Sequence, residues 1–210
     1  MEKVIHRSGS RGFSDNGWLK SYFTFSFANY YDPRRINFGA LRVLNNNTIE
    51  GGEGFKSHPH DNMEIVFIPT EGAIDHGDNI GNITTVSTGE AQIISAGRGM
   101  VHNSYNHDRN TPLSYIQMWI FPQEQPVASP EGGEHVLKIN QRAWVEMAAL
   151  DAGTSIRYEV RIDTNGVYIF VVSGDVLIAG SSLHENDAIG LTGLEYADVE
   201  AETDAKILVI

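Results

Sequence analysis

The chain contains no cysteine among its 210 residues. Disulfide bonds, thiolate zinc sites and cysteine nucleophiles are therefore excluded. Basic residues are also few, since 15 Lys and Arg face 27 Asp and Glu and leave a formal net charge of −12. Because affinity for nucleic acids comes mainly from clustered Lys and Arg, this balance argues against direct nucleic-acid binding.

Long hydrophobic runs are missing as well. No stretch approaches the length needed to cross a bilayer, and residues 1–12 hold no apolar run of the kind that marks a signal peptide. Hydrophobic residues make up 41% and charged residues 20% of the chain, which is typical of a globular protein with a proper core. We therefore expect a cytoplasmic protein that does not contact membranes.

Short strands separated by turn residues dominate the pattern. Residues 23–27 alternate aromatic and small polar side chains, which predicts a half-buried strand. Residues 141–150 are the one stretch with a weak helical pattern. Further strands, bounded by Gly, Asn or Pro, are predicted at residues 41–44, 64–68, 83–86, 91–94, 113–121, 156–162, 167–172, 176–179, 188–191 and 205–210. The pattern predicts an all-β fold.

Two similar halves can be recognised on either side of a polar segment. Residues 123–135 contain two Pro and two Gly and have no periodicity, which predicts a linker between an N-terminal domain, residues 1–122, and a C-terminal domain, residues 136–210. In each half an apolar strand ends at a glycine, Gly72 or Gly174, and a hairpin and an acidic turn follow. This self-similarity predicts a duplicated β-barrel unit.

The triplet His58-Pro59-His60, followed by His102, is the feature most indicative of chemistry. Side chains two apart in a strand point to the same face, so His58 and His60 can offer two imidazoles to one point. A third histidine arriving on a neighbouring strand would complete three ligands. Neutral imidazole is the commonest protein ligand for mid-row transition metals, so the sequence predicts a metal site.

The duplication provides an internal control on this prediction. Aligning the two strand-ending glycines puts Val160 and Ile162 at the positions of His58 and His60. Aliphatic side chains suit a packed core and cannot bind a metal. We therefore expect the metal chemistry to be confined to the first half.

Several longer motifs resemble the pirin family of the cupin superfamily. They are WLKSYFTFSF at residues 18–27, FGALRVLN at 38–45, HPHDNMEI at 58–65, SAGRG at 95–99 and QMWI at 117–120. The resemblance implies two tandem cupin barrels, of the double-stranded β-helix or jelly-roll-like type. It also implies one divalent transition metal, Fe(II) foremost, held in the N-terminal barrel by His58, His60 and His102.

One position departs from the family pattern. The family's second motif usually places a glutamate ligand two residues after its histidine, where this chain has Ser104. A serine hydroxyl is a poor ligand for a divalent metal. Glu64 shares the face of His58 and His60 if the strand is unbroken, and is a candidate fourth ligand or a hydrogen-bond partner that orients a histidine ligand. Alternatively, water or substrate fills the fourth position.

The resemblance also implies what the site does. Some bacterial pirins open quercetin with O₂, and a mammalian pirin acts as a nuclear co-regulator. The leading expectation is a quercetin 2,3-dioxygenase-like oxygenase with a flavonol-type substrate and Glu64 as the catalytic base. The alternatives are a non-catalytic, metal- or redox-responsive regulatory protein and a degenerate cupin with little metal. The remaining histidines in polar turns are expected at the surface: His76, His107, His135 and His184.

Replacing Ser104 with glutamate tests the importance of this departure. If the serine weakens the site, the Ser104→Glu variant gains metal affinity over the wild type, because an anionic ligand joins three neutral ones. Metal titration of both proteins measures the difference. Unchanged affinity would mean that Glu64 or solvent already completes the coordination.

Overall fold

The computed structural model describes residues 1–123 and 139–210. Within these residues it contains nineteen β-strands, a 3₁₀ turn at Ser8–Ser10 and no α-helix, which confirms the predicted all-β class. No helix in the described part is long and apolar enough to span a membrane. Beyond Gln123, the predicted linker at residues 123–135 lies outside the described residues.

The strands follow one another with short connections. The first eleven are β1 (Glu2–His6), β2 (Gly12–Asp15), β3 (Leu19–Phe23), β4 (Leu41–Ile49), β5 (Gly54–His60), β6 (Glu64–Glu71), β7 (Ala73–Asp78), β8 (Ile83–Ser87), β9 (Gln92–Ser95), β10 (Met100–Asn106) and β11 (Leu113–Ile120). The others are β12 (Glu146–Leu150), β13 (Ser155–Glu159), β14 (Val167–Ser173), β15 (Val176–Ile178), β16 (Ser181–Leu183), β17 (Ala188–Thr192), β18 (Tyr196–Ala201) and β19 (Ala205–Val209).

The chain divides into two compact units. The first barrel comprises residues 12–142, and the second barrel comprises residues 1–11 with residues 143–210. The first barrel has a six-stranded sheet of order β2-β3-β4-β11-β6-β9 and a four-stranded sheet of order β5-β10-β7-β8. A core packs between these sheets, with Ile49, Ile65 and Phe67 from one and Ile74 and Val86 from the other.

The second barrel repeats this plan in eight strands. Its four-stranded sheet has the order β13-β18-β15-β16, and β12-β19-β14-β17 corresponds to β4-β11-β6-β9. Gly72 and Gly174, the glycines that end equivalent strands, both have φ of +80°. A Cβ atom at Gly174 would lie 2.2 Å from the carbonyl oxygen of Asp204, so this turn requires glycine. The structure therefore shows the duplication that the sequence predicted.

The interior of the second barrel is aliphatic. Buried members of its core are Leu150, Val167, Ile169, Val171, Val176, Ile178, Leu183, Ile189, Leu191, Val199, Ile207 and Val209, with alanines between them. Val160, which aligns with His58, packs partly buried against this core. Burial of such side chains stabilises the fold at roughly 25 cal/mol per Å² of apolar surface and leaves no groups for ligand chemistry.

Two predicted elements are wrong. Strand β3 ends at Phe23, and residues 24–27 bend away instead of forming a strand. Phe25 and Thr24 are both buried, so the alternating pattern does not mark one exposed face. The weak helix predicted at residues 141–150 is absent, and its second half, Glu146–Leu150, forms β12, which pairs with β19 from Glu146 opposite Val209 onward. Its partner lies far along the chain, which a local pattern does not reveal.

The N-terminal strand belongs to the second barrel. β1 pairs antiparallel with β17, with Glu2 opposite Thr192 and His6 opposite Ala188. The first barrel therefore begins at Gly12, whereas the sequence placed its start at the first residue of a domain spanning 1–122. The composition and turn residues of residues 1–11 do not indicate that this segment pairs with β17, which is distant in sequence.

A buried carboxylate anchors this strand. Asp187 is 2% exposed and accepts hydrogen bonds from the Arg7 guanidinium at 2.7 Å and the backbone N–H of Ser8 at 2.7 Å. It also accepts the backbone N–H of His184. Burial alone would raise the pKa of Asp187, but these hydrogen bonds and the Arg7 charge outweigh it, so its pKa lies below the ordinary value.

Removing this anchor is expected to destabilise the second barrel. Asp187→Ala leaves two backbone donors and Arg7 without their acceptor, so the free energy of unfolding falls by about 2–4 kcal/mol. Asp198→Ala is the matched control, because it removes an exposed carboxylate from an ion pair with Arg157 and should change stability little. Urea denaturation measures both. Equal losses in the free energy of unfolding for the two variants would contradict the assignment of Asp187 as an anchor.

Candidate metal centre

The three predicted histidines meet on one face of the four-stranded sheet. His58 and His60 lie two apart on β5, and His102 on β10 pairs directly opposite His58. The imidazole centroids are 4.4 Å apart for His58 and His102, and 4.9 Å apart for each of the other two pairs. One nitrogen from each ring lies within 4.8 Å of the other two.

Local features of β5 explain this arrangement. Pro59, which lacks an N–H group, is tolerated because β5 is the edge strand of its sheet. A bulge lies just before His58, in which two residues of β5 oppose only Asn103 on β10. Lys56 lies in this bulge, and its carbonyl oxygen accepts a hydrogen bond of 2.7 Å from Nδ1 of His58.

The hydrogen bonding of the three histidines indicates which nitrogen of each ring faces the other two rings. A carbonyl oxygen only accepts, so His58 carries its proton on Nδ1 and keeps a lone pair on Nε2. The Nε2 atoms of His60 and His102 are buried and have no hydrogen-bond partner among the described residues. Buried polar atoms without partners point to an ion or other group that completes them. Three Nε2 lone pairs are thus available at one place.

The protonation states suit a metal. Burial first, and then the neighbouring histidines, lower the pKa of His102 to about 3. Burial and His58 lower the pKa of His60 to about 4. Both rings are therefore neutral at pH 7, and a metal need not displace a proton from them. Three imidazole ligands fit a divalent transition metal and leave further coordination positions for water or substrate.

Aromatic and amide side chains surround the group. The rings of Trp119 and His60 meet edge-on with their centroids 5.0 Å apart, and the ring centroids of Phe67 and His102 are 6.3 Å apart. Asn45 and Asn47 are buried on the face of β4 that also carries Ile49, a member of the core between the sheets. Both amide atoms of Asn45 and Nε1 of Trp119 are buried without a partner in the described residues. The interior of the first barrel therefore contains polar groups around the histidines, whereas the core of the second barrel is aliphatic.

Ser104 stands beside the group without a partner of its own. It lies two residues after His102 on β10 and so shares its face. The residue is 2% exposed, and its Oγ has no hydrogen-bond partner within the described ranges. Among the residues that the structure describes, no carboxylate joins the three histidines as a further ligand.

Glu64 does not share the face of the histidines. β5 ends at His60, Asn62 has φ of +47°, and Glu64 begins β6 in the other sheet. The predicted continuous strand is therefore broken. On β6, Ile65 and Phe67 face the core and Phe67 contacts His102, so alternation places Glu64 on the opposite face.

The Glu64 carboxylate is held by other groups. It is 0% exposed and accepts a hydrogen bond of 2.7 Å from Oγ of Ser95. The backbone N–H and the side-chain amide of Asn140 each donate to it at 3.2 Å. These contacts tie residue 140 to β6 and β9. A role for Glu64 as a ligand or catalytic base stays a prediction.

Sequence reasoning missed His76. It was expected at the surface, but it is 3% exposed, and its Nδ1 lies 3.2 Å from Nδ1 of His102. The signal was present in the alternation of Ile74, His76 and Asp78 on β7, because Ile74 is a core residue. His107 and His184 are exposed as expected, and His135 lies outside the described residues.

Comparison with known proteins identifies the family. A family model described as Pirin matches residues 5–120. The chain belongs to the pirin family. A second model, described as the quercetinase C-terminal cupin domain, matches residues 126–210. Together with the two units of the structure, these matches confirm the predicted pair of tandem cupin barrels.

Relatives match this pirin over nearly its whole length. A protein of Escherichia coli K12 named quercetin 2,3-dioxygenase is 35% identical over 97% of this chain and 96% of its own. A pirin-like protein of Caulobacter vibrioides is 35% identical over 95% of this chain and 94% of its own. The crystal structure of the bacterial pirin YhhW from E. coli in complex with nickel(II) superposes with a TM-score of 0.91, at 33% identity, over 99% of this chain and 97% of that one.

The contacts of Glu64 give a direct test of its role. Glu64→Gln weakens the hydrogen bonds from Ser95 and Asn140, so the free energy of unfolding should fall by about 1–3 kcal/mol. Metal affinity should stay within about threefold of wild type, since the carboxylate lies off the histidine face. Isothermal titration with a divalent metal and urea denaturation measure the two effects. Loss of metal binding with unchanged stability would instead make Glu64 a ligand.

Proposed function

We propose that this pirin binds one divalent transition metal through Nε2 of His58, His60 and His102 and acts as a quercetin 2,3-dioxygenase-like oxygenase. The convergence of His58, His60 and His102, with the Nε2 atoms of His60 and His102 buried and without a partner in the described residues, carries the proposal. The nickel complex of the E. coli relative supports a divalent ion in this fold. Fe(II) is the physiological metal that we propose, following the family resemblance.

When bound, the metal would act as a Lewis acid that polarises a substrate oxygen and brings it beside O₂. The chain contributes the geometry. The histidines come from two paired strands and lie on one face, which leaves coordination positions free for the reactants. The hydrogen bond from His58 to the Lys56 carbonyl fixes the orientation of one ring before a ligand arrives.

The surroundings suit a flat, hydroxylated aromatic substrate such as a flavonol. Trp119 and Phe55 lie against His60 and His58 and offer aromatic surface. The unpartnered amide of Asn45 and the Trp119 N–H offer polar contacts for hydroxyl and carbonyl groups. A mostly apolar site with a few placed polar groups is typical of small-molecule pockets. The names of the relatives support the same substrate class.

The direct test is O₂ consumption. Protein loaded in turn with Fe(II), Ni(II), Co(II) and Mn(II) is given quercetin in an oxygen electrode. We expect quercetin-dependent O₂ uptake with at least one metal, and its loss in His60→Ala, because that variant removes one of three ligands. His107→Ala is the control, since His107 is an exposed histidine outside the group and should leave uptake unchanged.

Two results would contradict the proposed activity in different ways. Stoichiometric metal binding without O₂ uptake would favour a non-catalytic, metal- or redox-responsive binding protein. A metal content near zero after loading would instead indicate a degenerate cupin that keeps only the barrel. Elemental analysis on the same samples separates the two.

A further inference from the structure

A second histidine and a carboxylate lie behind His102. Nδ1 of His76 is 3.2 Å from Nδ1 of His102, and the ring centroids are 5.0 Å apart. Nε2 of His76 is 3.9 Å from Oδ2 of Asp78, and both side chains are 2% exposed. On β7, Asp78 stands directly opposite His102 in the sheet register. The three side chains form a series that leads from a buried carboxylate to the metal centre.

The hydrogen bond between the two rings has one consistent direction when His102 binds a metal. Nε2 of His102 must then offer its lone pair, so its proton lies on Nδ1 and is donated to His76. Nδ1 of His76 accepts, and its own proton therefore lies on Nε2. That N–H is the one next to the carboxylate of Asp78.

The gap between His76 and Asp78 is too long for a direct hydrogen bond. The Nε2–H of the neutral His76 ring faces the Asp78 carboxylate across this gap, and both residues line a cavity of about 430 Å³ from which a water could bridge them. Asp78 is itself held in place, because its Oδ1 accepts the backbone N–H groups of Ile80 and Asn82 at 3.0 and 2.9 Å. The anion therefore has a fixed position relative to His76.

We propose that His76 and Asp78 are positioning residues that hold His102 in the Nδ1–H tautomer and supply the metal centre with a negative charge that its three neutral ligands lack. A negative charge from Asp78 matters because no carboxylate joins the three histidines in the described residues. Outer partners of a histidine ligand fix its ring and raise its basicity. The inference rests on the proposed metal site and goes beyond it, because neither residue touches the metal.

Leucine and glutamine at position 76 separate hydrogen bonding from packing. Both are close to histidine in size, but only glutamine can accept the His102 N–H and donate towards Asp78. Affinity for Ni(II), measured by chelator competition, should fall about 10- to 100-fold in His76→Leu. It should stay within about threefold of wild type in His76→Gln. Asp78→Asn keeps an oxygen for the two backbone donors. Its affinity for Ni(II) should lie between those of the His76→Leu and His76→Gln variants.

His107→Leu is the matched control. His107 also contacts an aspartate of β7, Asp75, at 3.0 Å, but both side chains are exposed and lie outside the centre. Its Ni(II) affinity should equal that of the wild type. The visible spectrum of the Co(II)-loaded protein should change in His76→Leu and not in the control, because the donor strength of His102 changes.

A metal-free measurement distinguishes failure of this inference from failure of the proposed function. Side-chain ¹⁵N shifts should show His102 as the Nδ1–H tautomer in the wild type and in His76→Gln, and as a mixture in His76→Leu. Wild-type nickel affinity in His76→Leu, or equal losses in the Leu and Gln variants, would overturn the proposal. So would an Nε2–H tautomer in the metal-free wild type. A wild type that bound no nickel but showed the expected tautomers would overturn the metal site alone.

Discussion

The antiparallel register between β5 and β10 is the constraint on which the rest of the site depends. It sets His102 opposite His58, while the period of two along β5 adds His60 on the same face. The bulge beside this pair places the Lys56 carbonyl where it orients His58. A slip of one residue would turn the histidines away from each other. The chemistry of the first barrel therefore follows from strand pairing.

The two barrels show how one scaffold supports different interiors. Eight strands follow the same order in both barrels, and their equivalent glycines adopt the same backbone angle. The core of the second barrel is built from aliphatic side chains, which stabilise it. The first barrel keeps histidines, asparagines and unpartnered polar atoms inside, at a cost in stability of about 1–3 kcal/mol for each unsatisfied group. Retention of such groups is consistent with a binding function.

Much of this was readable from the sequence, because it depends on local periodicity. The all-β class, the duplication and the grouping of His58, His60 and His102 follow from alternation, turn residues and the repeated glycines. The aliphatic Val160 predicted a packed core at that position, and it packs against the aliphatic core of the second barrel. Knowledge of a family pattern drew attention to Ser104, which the structure shows buried beside His102.

The failures have two physical causes, which are local breaks in a strand and pairing partners that are distant in sequence. Parity along one strand placed Glu64 with the histidines, but the turn at Asn62 moves it into the other sheet. The local sequence around His76 is typical of a turn, but His76 lies on β7, which pairs with β10. The first eleven residues gave no sign that they pair with β17 and are anchored by Asp187. Tertiary context overrides local pattern at each of these positions.

X-ray absorption spectroscopy of the nickel-loaded protein tests the central claim most directly. The account predicts three imidazole nitrogens in the first coordination shell, with the remaining positions taken by oxygen from water. Fewer than three imidazoles, or a protein carboxylate among the ligands, would contradict it.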